Sequence, residues 1–265
     1  MCIRKYHLTC NRIAGDQSIR IAFLSDIHNK FYGKEEDIIF KKLEECDPDV
    51  VLVGGDVIIG LPDAPVQPAA AFIKKLAEKY PVWYANGNHE QRIRIYPERF
   101  GRKAEEYEEM LEKTKAVRLV NQKAEFQVKG IPVTVYGLEP DARFYKKGRI
   151  QLGMRQQLEK RFGQPDEKRY TILLSHHPKY REEYLEWGAD LTLSGHYHGG
   201  VFLLGKRMGL ITPDFKLFSN RCCGICRKGS SHMIVSAGTG EHTIPFRIHN
   251  PREITLIQID FQKQE

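Results

Sequence analysis

Five short β-branched runs, each ending abruptly in a cluster of Asp, Asn, His and Gly, constrain this chain more than any other feature. The runs are Ile19–Leu24, Val50–Val53, Val82–Ala85, Tyr170–Leu174 and Leu191–Leu193. They lead directly into Ser25-Asp26-Ile27-His28, Gly54-Gly55-Asp56, Asn86-Gly87-Asn88-His89-Glu90, Ser175-His176-His177 and Ser194-Gly195-His196-Tyr197-His198. Short apolar runs bounded by such breakers read as strands buried on both faces. Helical stretches separate the first three. One spans about 34–45, with Ile38, Ile39 and Leu43 on its apolar side, and the next about 68–80, with Phe72, Ile73 and Leu76. Pro48, Pro68 and Pro81 stand where helix boundaries favour proline. A third helix is expected at about 103–115, with Tyr107, Met110, Leu111 and Thr114. Strands alternating with helices make an α/β sheet, and in such sheets ligands gather outside the carboxyl ends of the strands. All five polar clusters are therefore expected along one edge.

The middle of the chain changes character. Leu119-Val120, Ala124–Val128 and Pro132–Tyr136 alternate around a Lys129-Gly130 turn, which predicts a hairpin of a second sheet, and Met233–Ser236 and Glu253–Ile259 add late strands. No repeat, linker or low-complexity tract interrupts the 265 residues, so one domain over 1–265 built on two sheets is expected. With 41% hydrophobic and 28% charged residues, disordered and fibrous classes are excluded. No stretch approaches the roughly 18 apolar residues of a membrane span, and none following Met1–His7 is long enough for a signal peptide. A cytoplasmic location is the expectation.

The chemistry of the clusters explains their residue types. Two divalent ions sharing a site need about eight protein ligands of mixed nitrogen and oxygen character, including a carboxylate that bridges. Asp26, His28, Asp56, Asn88, His176, His196 and His198 supply seven residues, and a bridging Asp56 counts twice. Positions left open would take a water bridging the ions, made acidic enough to attack phosphorus. Mixed His/Asp/Asn ligation suits manganese first, with iron or zinc as alternatives. Gly54, Gly55, Gly87 and Gly195 are expected to let the backbone turn sharply and approach a phosphate closely.

The set Asp26-x-His28, Gly55-Asp56, Gly87-Asn88-His89-Glu90, His176 and Gly195-His196-x-His198 resembles the calcineurin-like metallophosphoesterases, over roughly residues 19 to 260. The resemblance implies a four-layer αββα sandwich, two mixed β-sheets packed face to face with helices outside. It implies that Asp26, His28, Asp56 and His198 hold one ion and Asp56, Asn88, His176 and His196 the other. His89 then donates the proton to the leaving oxygen, touching the phosphate together with Asn88. Family protein serine/threonine phosphatases carry Asp-Arg shortly after Gly-Asp, the Asp orienting the catalytic His and the Arg holding phosphate. Ile59 and Gly60 occupy those places here, which argues against that activity. Leu193–Gly200, Ser236–Gly240 and Pro245-Phe246-Arg247 resemble a bacterial subgroup of phosphodiesterase and UDP-diacylglucosamine pyrophosphatase type, whose members are often tethered to the membrane by an N-terminal segment.

The resulting expectation is hydrolysis of a phosphodiester or pyrophosphate bond in a phosphorylated small molecule or a lipid-linked substrate. The alternatives are a phosphomonoesterase or nuclease of the same fold, or an inactive scaffold. The net charge of +7 and pI near 9.0 suit anionic partners. No basic stripe interleaved with aromatics favours nucleic acid, and no feature implies a protein partner. Inactive scaffolds of this fold tend to lose ligands or the catalytic histidine, and all eight residues are present here.

Other residues carry two readings each. Arg247 either holds a phosphate bidentately or is a surface cation. Glu90 either orients His89 or a loop, or makes a structural hydrogen bond, His177 is expected in a structural or substrate-rim role, and His242 stays open. Cys222, Cys223 and Cys226, with His232, have redox or zinc spacing but lack the strand–helix context and a fourth ligand, so a loop of ordinary thiols is expected. The 201–211 segment mixes apolar and cationic residues. A second-sheet hairpin is the expectation there, with membrane-surface or lipid contact as its rival.

Overall fold

The computed structural model describes residues 1–30, 34–145, 151–200, 203–204, 208–211, 217–219, 222–240, 247 and 249–262. Two six-stranded sheets carry the fold. The first runs β1 (Cys2–Cys10), β15 (Glu253–Phe261), β2 (Ser18–Leu24), β3 (Val50–Val53), β4 (Val82–Ala85) and β5 (Val117–Leu119) in spatial order. From β2 to β5 all pairs are parallel, and β15 enters antiparallel to β2. The second runs β13 (Gly224–Lys228), β14 (Ser231–Val235), β9 (Leu191–Ser194), β8 (Tyr170–Ser175), β7 (Ile131–Leu138) and β6 (Gln122–Val128). Its four central strands are parallel and its two edges antiparallel.

Alternation along the strands explains the layers. Phe23, Leu52, Ile172, Leu174, Leu191 and Ile234 point into one cluster shared by the two sheets. Their neighbours Ala22, Leu24, Val51 and Val53 face outward, onto helices α1 (Lys34–Cys46), α2 (Gln67–Lys79) and α5 (Lys103–Glu112). On the far side Tyr136 and Leu173 meet α6 (Met154–Phe162) and α7 (Arg181–Trp187). Each fully buried Leu, Ile or Phe contributes roughly 1.5–3 kcal/mol, so burial in these three layers supplies most of the stability. Two mixed sheets flanked by helices are the fold expected from sequence. Helix α2 follows its sequence closely. Pro68 sits in its first turn, Phe72, Ile73 and Leu76 are buried, and Tyr80 turns extended ahead of Pro81.

Several expectations need correction. Val117–Leu119 joins the first sheet beside β4, not the hairpin of the second. Cys226 lies within strand β13, an edge strand made by a five-residue antiparallel pairing with β14, so the cysteine segment is not simply a loop. Strands β10 (Leu203–Leu204), β11 (Met208–Ile211) and β12 (Leu217–Ser219) form a separate antiparallel sheet, not a hairpin of the second. The side chains of 201–211, and with them the lipid-contact reading, lie outside the described residues, as does His242. Among the described residues no helix is long and apolar enough to cross a membrane.

Candidate metal centre

The polar clusters after β2, β3, β4, β8 and β9 meet at the carboxyl edges of the two sheets. Backbone hydrogen bonds continue the strand pairing into the loops. Asp26 N donates to Gly55 O (3.0 Å), His28 N to Asp56 O (3.0 Å) and Gly195 N to His176 O (3.1 Å). The turns are tight: Asp26, His28, Asp56, His196 and His198 all adopt left-handed backbone, with φ of 53°, 52°, 53°, 69° and 48°. Such conformations cost on the order of 1 kcal/mol each and persist where the surroundings over-determine them. Gly55 and Gly195 make the sharp turns expected of them, in packing too close for a side chain. A Cβ on Gly55 (φ 89°) would lie 2.2 Å from the Gly87 nitrogen, and one on Gly195 2.2 Å from Asp26 Oδ2.

Three overlapping groups have donor atoms within 4.8 Å of one another: Asp26, His28 and His198; Asp56, His176 and His196; and His28, Asp56 and His89. Asp56 is the hinge between them. Its Oδ2 lies 3.0 Å from His176 Nε2, 3.7 Å from His89 Nε2 and 3.9 Å from His28 Nε2. Asp26 Oδ1 lies 3.4 Å from His198 Nε2 and 3.6 Å from His176 Nε2. His28 and His198 bring their Nε2 atoms to 3.2 Å. Asp26 Oδ2 and Asn88 Oδ1 are buried with no hydrogen-bond donor among the described residues. Buried acceptors without donors, beside this cluster of imidazoles, fit divalent cations well.

Outer contacts fix the inner side chains. His176 Nδ1 donates to Gly54 O (2.7 Å), which leaves Nε2 with its lone pair toward Asp56 and Asp26. Glu90, 2% exposed, accepts from the amides of Asp56 (2.9 Å), Val57 (2.8 Å), Ile58 (3.2 Å) and Gly87 (2.8 Å). It thus clamps the Asp56 loop to helix α3 (Asn88–Ile95), whose first turn carries Asn88 and His89. Its carboxylate is directed at these amides and not at the His89 ring, so the clamp replaces the ring-orienting reading. Gly60 N donates to His89 Nδ1 (2.6 Å), so the neutral ring carries its proton on Nε2, toward Asp56. His177 packs against His196 with ring centroids at 4.1 Å, among Tyr145, Tyr180 and Tyr197. Arg247 is half-buried, donating to Ala237 O (2.9 Å) and Gly240 O (2.5 Å) with one nitrogen 3.4 Å from His198 Nδ1. A surface cation it is not.

Electrostatics follow from this geometry. Burial opposes ionisation of Asp56, yet His176, His89 and His28 hold its carboxyl well below the usual range. Burial raises Asp26, helped by the like charge of Asp56 and opposed by His176 and His28. Burial lowers His89 to about 4 despite Asp56. For His176, burial works the other way, but Asp56, Asp26 and the Gly54 carbonyl lift it from 6.5 to about 10. In metal-free protein the His176 imidazolium thus stands where a cation would. A histidine with a raised folded value stabilises fully below 6.5, and that stability fades as pH climbs toward 10. The metal-free melting temperature is expected to fall across this window, and metal, which displaces the proton, to flatten the profile. Thermal melts with and without chelator check this; a metal-free profile flat from 6.5 to 10 would refute it.

Two contributors escaped sequence reading. Asn250 donates to His198 O (2.5 Å) and Gly200 O (2.7 Å), holding the second-sheet loop from 50 residues away. Tyr145, on a short helical turn at Ala142–Tyr145, stacks on His177 (5.5 Å, 20°) and meets His196 edge-on (6.2 Å). Neither carries a local motif. The cysteines gain no metal role: among the described residues neither they nor His232 join a group able to hold an ion.

The chain has relatives among known proteins. The protein YpbG of Bacillus subtilis (strain 168) is 23% identical over 260 residues, covering 97% of this chain and 87% of that protein. The metallophosphoesterase YkoQ of the same organism is 22% identical over 245 residues, covering 92% and 84%. Among solved structures, TT1561 of Thermus thermophilus aligns with 16% identity over 84% of this chain and 90% of that one, at a TM-score of 0.48. Residues 19–200, which contain the five polar clusters, match the model of one family, and on that match the chain belongs to the calcineurin-like phosphoesterases.

Proposed function

We propose that this protein is a two-metal phosphoesterase that hydrolyses a phosphodiester or pyrophosphate bond, with manganese as the preferred ion. The observation that carries the reading is the buried Asp56 carboxylate, within 4 Å of His28, His89 and His176, with Asp26 bridging between His176 and His198 on the other side. Asp26, His28, Asp56 and His198 would hold one ion and Asp56, Asn88, His176 and His196 the other. Ions bound there supply positive charge against the phosphoryl oxygens and a water acidic enough to act as nucleophile near neutral pH.

The side chains do the rest. Asp56 and Asp26 concentrate negative charge where the cations belong, while the Gly54 carbonyl keeps His176 Nε2 available. The amide of Gly60 sets His89 with its Nε2 proton directed inward. Proton transfer to the leaving oxygen as the P–O bond breaks requires the imidazolium, so Nδ1 first takes a proton from solvent in place of the Gly60 contact; the Nε2 proton then passes to that oxygen and neutral imidazole remains. In protein phosphatases an orienting Asp stands where this chain has Ile59; here the amide of the neighbouring Gly60 contacts the ring instead. The proposed substrates are small phosphodiesters, pyrophosphates or lipid-linked nucleotides, which match the resemblance of the 193–247 segment to diesterase and pyrophosphatase enzymes.

Hydrolysis of bis-p-nitrophenyl phosphate beside p-nitrophenyl phosphate, with manganese added, tests the reading. Faster cleavage of the diester is expected. A preference for the monoester would move the substrate class to phosphomonoesters, and failure on both with a fully metallated protein would count against catalysis.

A further inference from the structure

The hydroxyl of Tyr145 is buried and has no hydrogen-bond partner among the described residues. Its neighbours in the same aromatic group do not share this condition. Tyr180 donates to Phe144 O (3.0 Å), and Tyr184 donates to His177 O (3.1 Å) while accepting from Ser175 Oγ (2.8 Å). Folding thus pairs the hydroxyls that hold this region together and leaves one unpaired. A buried hydroxyl without a partner forfeits its hydration for nothing, and native structures keep few such groups.

Position indicates the partner. Tyr145 follows the carboxyl end of β7, in line with the loops that carry the metal-binding side chains. Its ring is fixed flat against His177 and edge-on to His196, on the second-sheet side of the centre. After burial, the charge that acts most on its hydroxyl is that of Asp56. The ring is thus held against His196, an expected metal ligand, with its O–H donor unspent at the edge of the centre. Resting on the phosphoesterase reading above, we infer that Tyr145 is a substrate-contacting residue whose hydroxyl donates to a non-bridging phosphoryl oxygen. Because that oxygen is present in substrate and in released phosphate alike, the contact acts on binding of both.

Tyr145→Phe in the full, manganese-loaded chain tests this, with inorganic phosphate as the probe. Calorimetric phosphate affinity is expected to weaken about 10-fold, the value of one hydrogen bond to a charged acceptor. KM for bis-p-nitrophenyl phosphate rises by a similar factor, kcat changes little, and the metal content stays the same. The melting temperature in phosphate-free buffer does not fall, since no internal hydrogen bond is lost. Unchanged phosphate affinity in the variant, whether kcat falls or not, overturns the inference while leaving the phosphoesterase reading intact. A lower melting temperature with unchanged phosphate affinity assigns the hydroxyl to structure. Wild-type protein that neither binds phosphate nor cleaves diester overturns both.

Discussion

Asp56→Asn is expected to reduce diester hydrolysis on the order of 10³-fold or more and to strip the protein of at least one ion. The size of the effect follows from how many partners one carboxylate serves. Its Oδ1 accepts from the His89 amide (2.8 Å), and its Oδ2 faces three histidines. Amidation keeps the shape but removes the charge and turns one oxygen into a donor aimed at imidazole nitrogens. The side chain is 2% exposed, so water cannot compensate. Metal analysis and initial rates on the purified variant check the outcome, with circular dichroism to establish that it folds. A folded Asp56→Asn protein with full metal and near-normal rates would remove Asp56 from the centre.

His89→Ala is expected to separate chemistry from metal binding. The ring stands beside the cluster, held by the Gly60 amide on one side and facing Asp56 on the other. Removing it takes away a proton donor, which typically contributes 10²–10⁴-fold, so kcat should fall by about that much while both ions stay bound. The loss should grow as the leaving group becomes more basic, because p-nitrophenolate departs without help and an alkoxide does not. Rates on aryl and alkyl diesters check this. An equal loss on both would mean that His89 positions the phosphate without protonating the leaving oxygen. Loss of an ion in the variant would instead make His89 a ligand, as its grouping with His28 and Asp56 allows.

Much of the centre was legible because the strands carrying it are buried on both faces. Val50–Val53 and Val82–Ala85 are buried at every position, so they read as unbroken apolar runs, and the polar residues after them mark where burial stops. Long-range pairing was not legible. Strand β1 is half exposed, with Lys5, His7 and Thr9 along it, and its partner β15 lies at the other end of the chain. Val117–Leu119 is three residues long with one buried position, so its sequence shows only Leu119-Val120, which local pattern joins to the hairpin that follows. Helix α3 hid behind Gly87-Asn88, which reads as a turn; only the Glu90 clamp reveals it as a helix start. Asn250 and Tyr145 act through contacts between segments far apart in sequence, for which no local pattern exists. For the cysteines, the lack of a strand–helix context and of a fourth ligand points to ordinary thiols; what local sequence does not show is that Cys226 lies in an edge strand.

The central claim is that one cluster of carboxylates, imidazoles and an amide holds two ions. Counting metal directly tests it: the chain is stripped with chelator, reconstituted with manganese, passed through a desalting column and analysed for metal and protein together. Two ions per folded chain are expected, falling to one or none in Asp56→Asn. A single ion, or none, in folded wild-type protein at saturating manganese would contradict the claim.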